Sequence, residues 1–155
     1  MASRPETRIQ ELHLKLPSPP KPVAKYKTAV LAGNMLYVSG HGPLKPDGTM
    51  VVGRVGADLS PEQGKDAARV VGIAILSTVR NTLGSLDKVK RLVKTLGMVN
   101  STLEFKDHPQ VINGFSDLMA EVFGDDAGVG ARSAVGMGSL PSNIAVEIEC
   151  IFEVG

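Results

Sequence analysis

A single arginine, Arg132, stands in the small and apolar run Ala131 to Gly138, and 15 residues further on Glu147 opens the alternating segment Glu147-Ile148-Glu149. Arginine offers a planar, permanently charged donor fork that can hold a carboxylate bidentately. A glutamate can orient or deprotonate a water. Both residues also have plainer readings, with Arg132 pairing with a glutamate across a subunit interface and Glu147 and Glu149 forming a solvated strand face. The residue types alone leave these alternatives open.

Other chemistry-bearing residues are scattered. His13, His41 and His108 lack metal-ligand spacing, and neither an H-x-x-E-H nor a C-x-x-C pattern occurs, so no metal site is expected. His41 would titrate near neutral pH if it bordered a cleft, but a structural role is the simpler reading. Cys150 is the single cysteine. It cannot form an internal disulfide, which fits a reducing compartment, and its place in an apolar series marks it as a packing residue.

The elements that must position Arg132 and Glu147 follow from periodicity and turn chemistry. Ile144, Val146, Ile148, Cys150, Phe152 and Val154 alternate with Glu147, Glu149 and Glu153, the pattern of a half-buried strand. The preceding segment places Arg132, Ala134, Gly136 and Gly138 at one parity and Val135 and Met137 at the other. A hairpin through Pro141-Ser142 would pair Gly136 with Glu147. Arg132 would then share a face with Glu147, four residues further along or roughly 13 Å at strand rise.

Upstream, Gly33-Asn34 joins Val30-Leu31 to Leu36-Tyr37-Val38 as a hairpin. Lys45-Pro46-Asp47-Gly48-Thr49 is turn chemistry before a short third strand at Met50-Val51-Val52. Ser60-Pro61-Glu62-Gln63 starts a helix with a reciprocal cap, running to Leu83 and stopped by Gly84. Leu86 to Asn100 supplies a strand with Val89, Val93 and Val99 as inward residues. A second helix begins near Asp107 and ends at Phe123-Gly124, with Val111, Phe115, Leu118, Met119 and Val122 on one face and Asn113 on the polar side. Residues 4 to 14 form a short helix with Ile9, Leu12 and Leu16 as apolar contacts, halted by Pro17 to Pro22.

This order predicts an α+β fold, a mixed sheet with helices on one face and subunits as a natural cover for the other. The 155 residues fit one domain. Residues 1–22 read as an N-terminal extension with a short helix and a proline-rich linker, and 23–155 as the single domain. Apolar residues make up 43%, charged residues 21%, and the net charge is +1. No apolar run reaches the ~18 residues of a membrane span, and the early charges Arg4, Glu6, Arg8 and Glu11 do not resemble a secretory signal, so a cytoplasmic location is expected. Only 4% of residues are aromatic, and the basic run Lys88 to Lys94 is modest, so nucleic acid is an unlikely partner.

The motifs carry a family resemblance. Tyr26, L-Y-V-S-G-H-G-P (Leu36 to Pro43), V-I-N-G-F (Val111 to Phe115) and A-R-S-A-V with L-P and V-E-I-E downstream resemble the Rid or YjgF-like proteins, the reactive intermediate deaminases. The resemblance spans Pro22 to the C-terminus. It implies a chorismate-mutase-like two-layer fold and a homotrimer with sites in the clefts between subunits. It further implies Arg132 as the carboxylate clamp for a 2-imino acid or its enamine tautomer and Glu147 as the holder of the attacking water. Tyr26, Ser39, Asn113 and Ala134 would line the site, Ala134 standing where many deaminase members carry cysteine.

The function implied is hydrolytic deamination of small carboxylate-bearing imines to 2-oxo acids and ammonia. No metal or organic cofactor is required, because an imine carbon is already electrophilic. Two alternatives are a trimeric 2-oxo acid binding protein without turnover and, with less support, the ribonuclease activity sometimes attributed to the family.

Overall fold

Residues 3–155 are described by a computed structural model. In chain order it contains α1 (Pro5–Glu11), β1 (Ala29–Ala32), β2 (Met35–His41), α2 (Pro61–Leu83), β3 (Val89–Asn100), α3 (His108–Phe123), β4 (Ala131–Met137) and β5 (Val146–Val154). The local signals place most of these boundaries. Ser60 and Gln63 exchange the two bonds of a capping box at 3.1 and 2.9 Å, and Gly84 closes α2 in the left-handed conformation. Among the described residues no helix is long and apolar enough to cross a membrane.

The five strands form one mixed sheet in the order β1-β2-β5-β3-β4. The expected hairpin between β4 and β5 is therefore overturned. β4 runs parallel to β3, and β5 lies on the other side of β3, antiparallel to it. The reason is the crossover: β3-α3-β4 is a βαβ unit, which brings β4 back beside β3 in the same direction. The Pro141–Asn143 turn then carries the chain past the end of β3, where the Asn100 amide donates to Asn143 Oδ1 at 3.0 Å and to the Ile144 carbonyl at 3.1 Å.

Two smaller expectations are corrected. Met50 to Val52 makes only isolated bridges, Leu44 with Met50 and Val52 with Ile144, because its backbone bonds are split between Pro43 and Ala145. In β3, Val99 is buried, but Val89 and Val93 are half-buried, and Leu92 and Thr95 point inward instead. Register shifts between Val89 and Arg91 and between Leu92 and Lys94 change the parity that simple alternation assumes.

The core lies between the sheet and α2 and α3. All six apolar residues of the Ile144 to Val154 series and the whole apolar face of α3 are buried. The two helices approach closely at Gly114, where a Cβ would collide with the Lys65 carbonyl oxygen, which accounts for the glycine of V-I-N-G-F.

The N-terminal segment joins this core through Ile9, which is 4% exposed. Its anchor is Glu6, whose carboxylate accepts from Arg80 Nη2 at 2.6 Å, Arg80 Nε at 3.1 Å and the Leu86 N–H at 2.8 Å. Burial pushes this carboxyl up, but Arg80 and Leu86 together outweigh it and hold the group below its ordinary value. The stabilisation is thus present above the ordinary glutamate range and is lost as pH falls through the depressed value. Glu6→Gln is expected to cost about 1–2 kcal/mol at neutral pH, read from urea midpoints, with the difference shrinking at pH 3.

Candidate functional site

Residues paired across neighbouring strands point to the same face of a sheet. Arg132 is paired with Thr95, which is paired in turn with Cys150. Thr95 and Cys150 are buried under the helices, so Arg132 leans from the sheet edge toward α3. There its Nη1 donates to Asn113 Oδ1 at 2.8 Å and to Ser116 Oγ at 3.1 Å.

Both acceptors are neutral, and among the described residues no carboxylate lies within ion-pair distance of this guanidinium. Nε and Nη2 have no hydrogen-bond partner among the described residues. Arg132 thus keeps its charge and a free donor edge beside a cleft of about 260 Å³, lined by Leu92, Thr95, Asn113, Ser116 and Gly130. Asp117 also borders this cleft but pairs with Lys65 at 3.9 Å.

Glu147 is on the other face. It pairs with Met98, which pairs with Val135, and this row points away from the helices. Arg132 and Glu147 are separated by β3, two strand spacings and three residues of rise, roughly 14 Å between Cα atoms. The expectation that they share one face fails for that reason. Glu147 instead lines a second cleft of about 220 Å³ with Tyr26, Thr28, His41, Met50 and Ile144. Its carboxyl lies against Gly40, where a Cβ would stand 2.9 Å from Glu147 Cδ. Burial first, and the charge of Glu149 second, hold this carboxyl above its ordinary value.

The remaining predicted residues divide between these surfaces. Tyr26, 44% exposed, faces the Glu147 cleft, and Asn113 the Arg132 cleft. Ser39 donates its hydroxyl to the Lys27 carbonyl at 2.6 Å and borders a broader hollow on the open sheet face with Tyr37, Lys94 and Glu149. Ala134 sits opposite Gly97 at the parity of Arg132, half-buried and packed against the core.

Ser116 was not anticipated. Its only sequence signal is its position three residues after Asn113, which puts the two on one helix face. His41 is 4% exposed and hydrogen-bonded through both ring nitrogens, to the Ser39 carbonyl at 2.6 Å and to Thr78 Oγ1 at 2.8 Å. Burial lowers its pKa, partly offset by the Ser39 carbonyl.

The family described as "YjgF/chorismate mutase-like, putative endoribonuclease" matches residues 6–152. The chain belongs to the YjgF/chorismate mutase-like family. Its similarity to individual proteins extends over nearly the whole length. It is 39% identical to Protein TCP17 of Trypanosoma cruzi over 153 residues, 99% of this chain and 96% of that protein. It is 30% identical to the 2-iminobutanoate/2-iminopropanoate deaminase of Dermatophagoides farinae over 139 residues, 89% of this chain and 92% of that one. The crystal structure of the protein Atu1372 from Agrobacterium tumefaciens superposes with a TM-score of 0.89 at 40% identity, covering 97% of this chain and 92% of that one.

Proposed function

We propose that this YjgF-like chain hydrolyses small 2-imino acids, or their enamine tautomers, to 2-oxo acids and ammonia, at sites shared between the subunits of a homotrimer. The observation that carries this reading is the state of Arg132, a guanidinium held by two neutral acceptors with a donor edge left free. Such a fork suits a carboxylate. The apolar residues exposed on the open sheet side, Tyr37 at 48% and Val135 at 38%, support a subunit covering that face.

The chemistry asks little beyond a clamp and a proton carrier. With the substrate carboxylate on Arg132, a water beside Glu147 attacks the imine carbon. Its oxygen forms the new C–O bond, the C=N pair retreats to nitrogen, and Glu147 accepts the proton. Return of that proton to nitrogen gives the amino alcohol; a second transfer, from its hydroxyl through Glu147 to nitrogen, accompanies C–N cleavage, so that the oxygen pair forms the carbonyl as ammonia leaves. A carboxyl raised toward neutrality is better matched to both steps than an ordinary one. The name of the Dermatophagoides farinae relative supports the same substrate class.

The test generates imino acids in situ with an amino-acid oxidase and follows ammonia release. Release faster than the uncatalysed rate is expected; its absence, with 2-oxo acids still bound, would leave a binding protein. Because one chain separates Arg132 from Glu147 across its sheet, subunit mixing provides a second check. Arg132→Ala and Glu147→Gln protomers, each inactive alone, are expected to recover roughly a quarter of wild-type activity when co-refolded at random. No recovery would place both groups of a working site in one subunit.

A further inference from the structure

We infer that His41 and Thr78 are a positioning pair for Glu147, holding the bulged backbone on which its carboxylate rests. This rests on the role proposed for Glu147 and goes beyond it. Between Val38, opposite Cys150, and His41, opposite Ile148, β2 advances three residues while β5 advances two. The extra residue is a β-bulge, a place where ladder bonds no longer determine where the backbone lies.

Here the bulge is held from two directions. On the outer side the Ser39 N–H donates to the Thr28 carbonyl at 2.9 Å and its hydroxyl to the Lys27 carbonyl at 2.6 Å, next to Tyr26. On the inner side His41 spans the bulge. The Ser39 carbonyl can only accept, so His41 Nδ1 carries the proton, and in the neutral ring Nε2 accepts from the Thr78 hydroxyl. Thr78 lies on the buried face of α2 and is 1% exposed. A continuous link therefore runs from the helix layer through the imidazole to the peptide on either side of Gly40.

Gly40 is where the link reaches the site. Glu147 lies close over it, with Cδ 2.9 Å and Cγ and Oε1 both 3.2 Å from where a Cβ would be, so the carboxylate would have to move to admit a methyl group. A shift of this peptide toward the cleft presses on the carboxylate, and sub-ångström placement of a proton-transfer group matters for rate more than for affinity. His41 touches no substrate in this scheme. Its part is to keep Glu147 at the water, while Arg132, on the other face, holds the carboxylate.

The experiment compares Thr78→Val, which matches threonine in shape and lacks the hydroxyl, with Thr78→Ser, which retains it. His41→Asn is the second probe, since it keeps a donor for the Ser39 carbonyl but cannot reach Thr78. In the imino-acid assay Thr78→Val and His41→Asn are expected to lower kcat by about 10- to 100-fold with KM changed less than about twofold, and Thr78→Ser to recover most of the loss. Wild-type kcat in both folded variants, an effect confined to KM, or no recovery by serine would overturn the inference. Glu147→Gln separates the two levels. If that variant turns over at the wild-type rate, the role of Glu147 itself falls and the positioning role with it. If it is inactive while Thr78→Val is normal, only the positioning role falls.

Discussion

Arg132→Ala is expected to lower kcat/KM by roughly 10²–10⁴-fold, since it removes a fork whose charged hydrogen bonds contribute about 1.5–3 kcal/mol each. Arg132→Lys should rescue little, because a single ammonium cannot reproduce the planar pair of donors, nor accommodate Asn113 and Ser116 on one side while presenting an edge on the other. Neither variant should disturb the fold. Arg132 is exposed on an edge strand, has no ion-pair partner among the described residues, and offers Asn113 and Ser116 bonds that water can replace. Circular dichroism and sedimentation should match wild type while 2-oxo acid binding, followed by calorimetry, disappears. Retained turnover in either variant would remove Arg132 from the site.

Glu147→Gln separates activity from stability in opposite directions. Loss of the proton carrier should reduce kcat by about 10²–10⁴-fold. The thermal midpoint should rise. Burial and Glu149 hold the carboxyl above its ordinary value, so the ionised form is costlier in the folded chain than in the unfolded one. That cost develops as pH climbs from the ordinary glutamate range through the raised folded value, and is fully present above it. Glutamine abolishes it. A small gain, reduced because the side chain is partly open to solvent, is expected at pH 7 and should vanish at and below the ordinary glutamate range. A midpoint that fell at neutral pH would show that the carboxylate stabilises the fold instead.

The two variants probe residues that the chain brings to different faces, and this bears on how the site could be read. Arg132, Glu147 and Asn113 are singled out as candidates by motif and residue type. Their surroundings are less so. Asn113 looks like a solvated polar-face residue until β4 docks beside α3 and turns it into an acceptor for Arg132, with Ser116 next to it. Gly40 looks like the end of a strand until the bulge places it beneath Glu147. Thr78 carries no sequence signal at all, because its hydrogen bond is to a histidine 37 residues away.

What the sequence by itself determined is whatever depends on near neighbours: the capped start and glycine stop of α2, the apolar face of α3, and the alternation that buries Val146, Ile148, Cys150 and Phe152. These follow from bonds and side-chain directions within a few residues, and the structure reproduces them. The Gly33-Asn34 hairpin of β1 and β2 belongs with them. What only the tertiary structure decided is how β3, β4 and β5 pair. Adjacent alternating strands favour a hairpin locally, but a parallel β3-α3-β4 unit buries α3 against the sheet, puts β4 at the edge and leaves the centre to β5. That choice is non-local, and it moved Arg132 and Glu147 from one shared face to opposite sides of a single sheet.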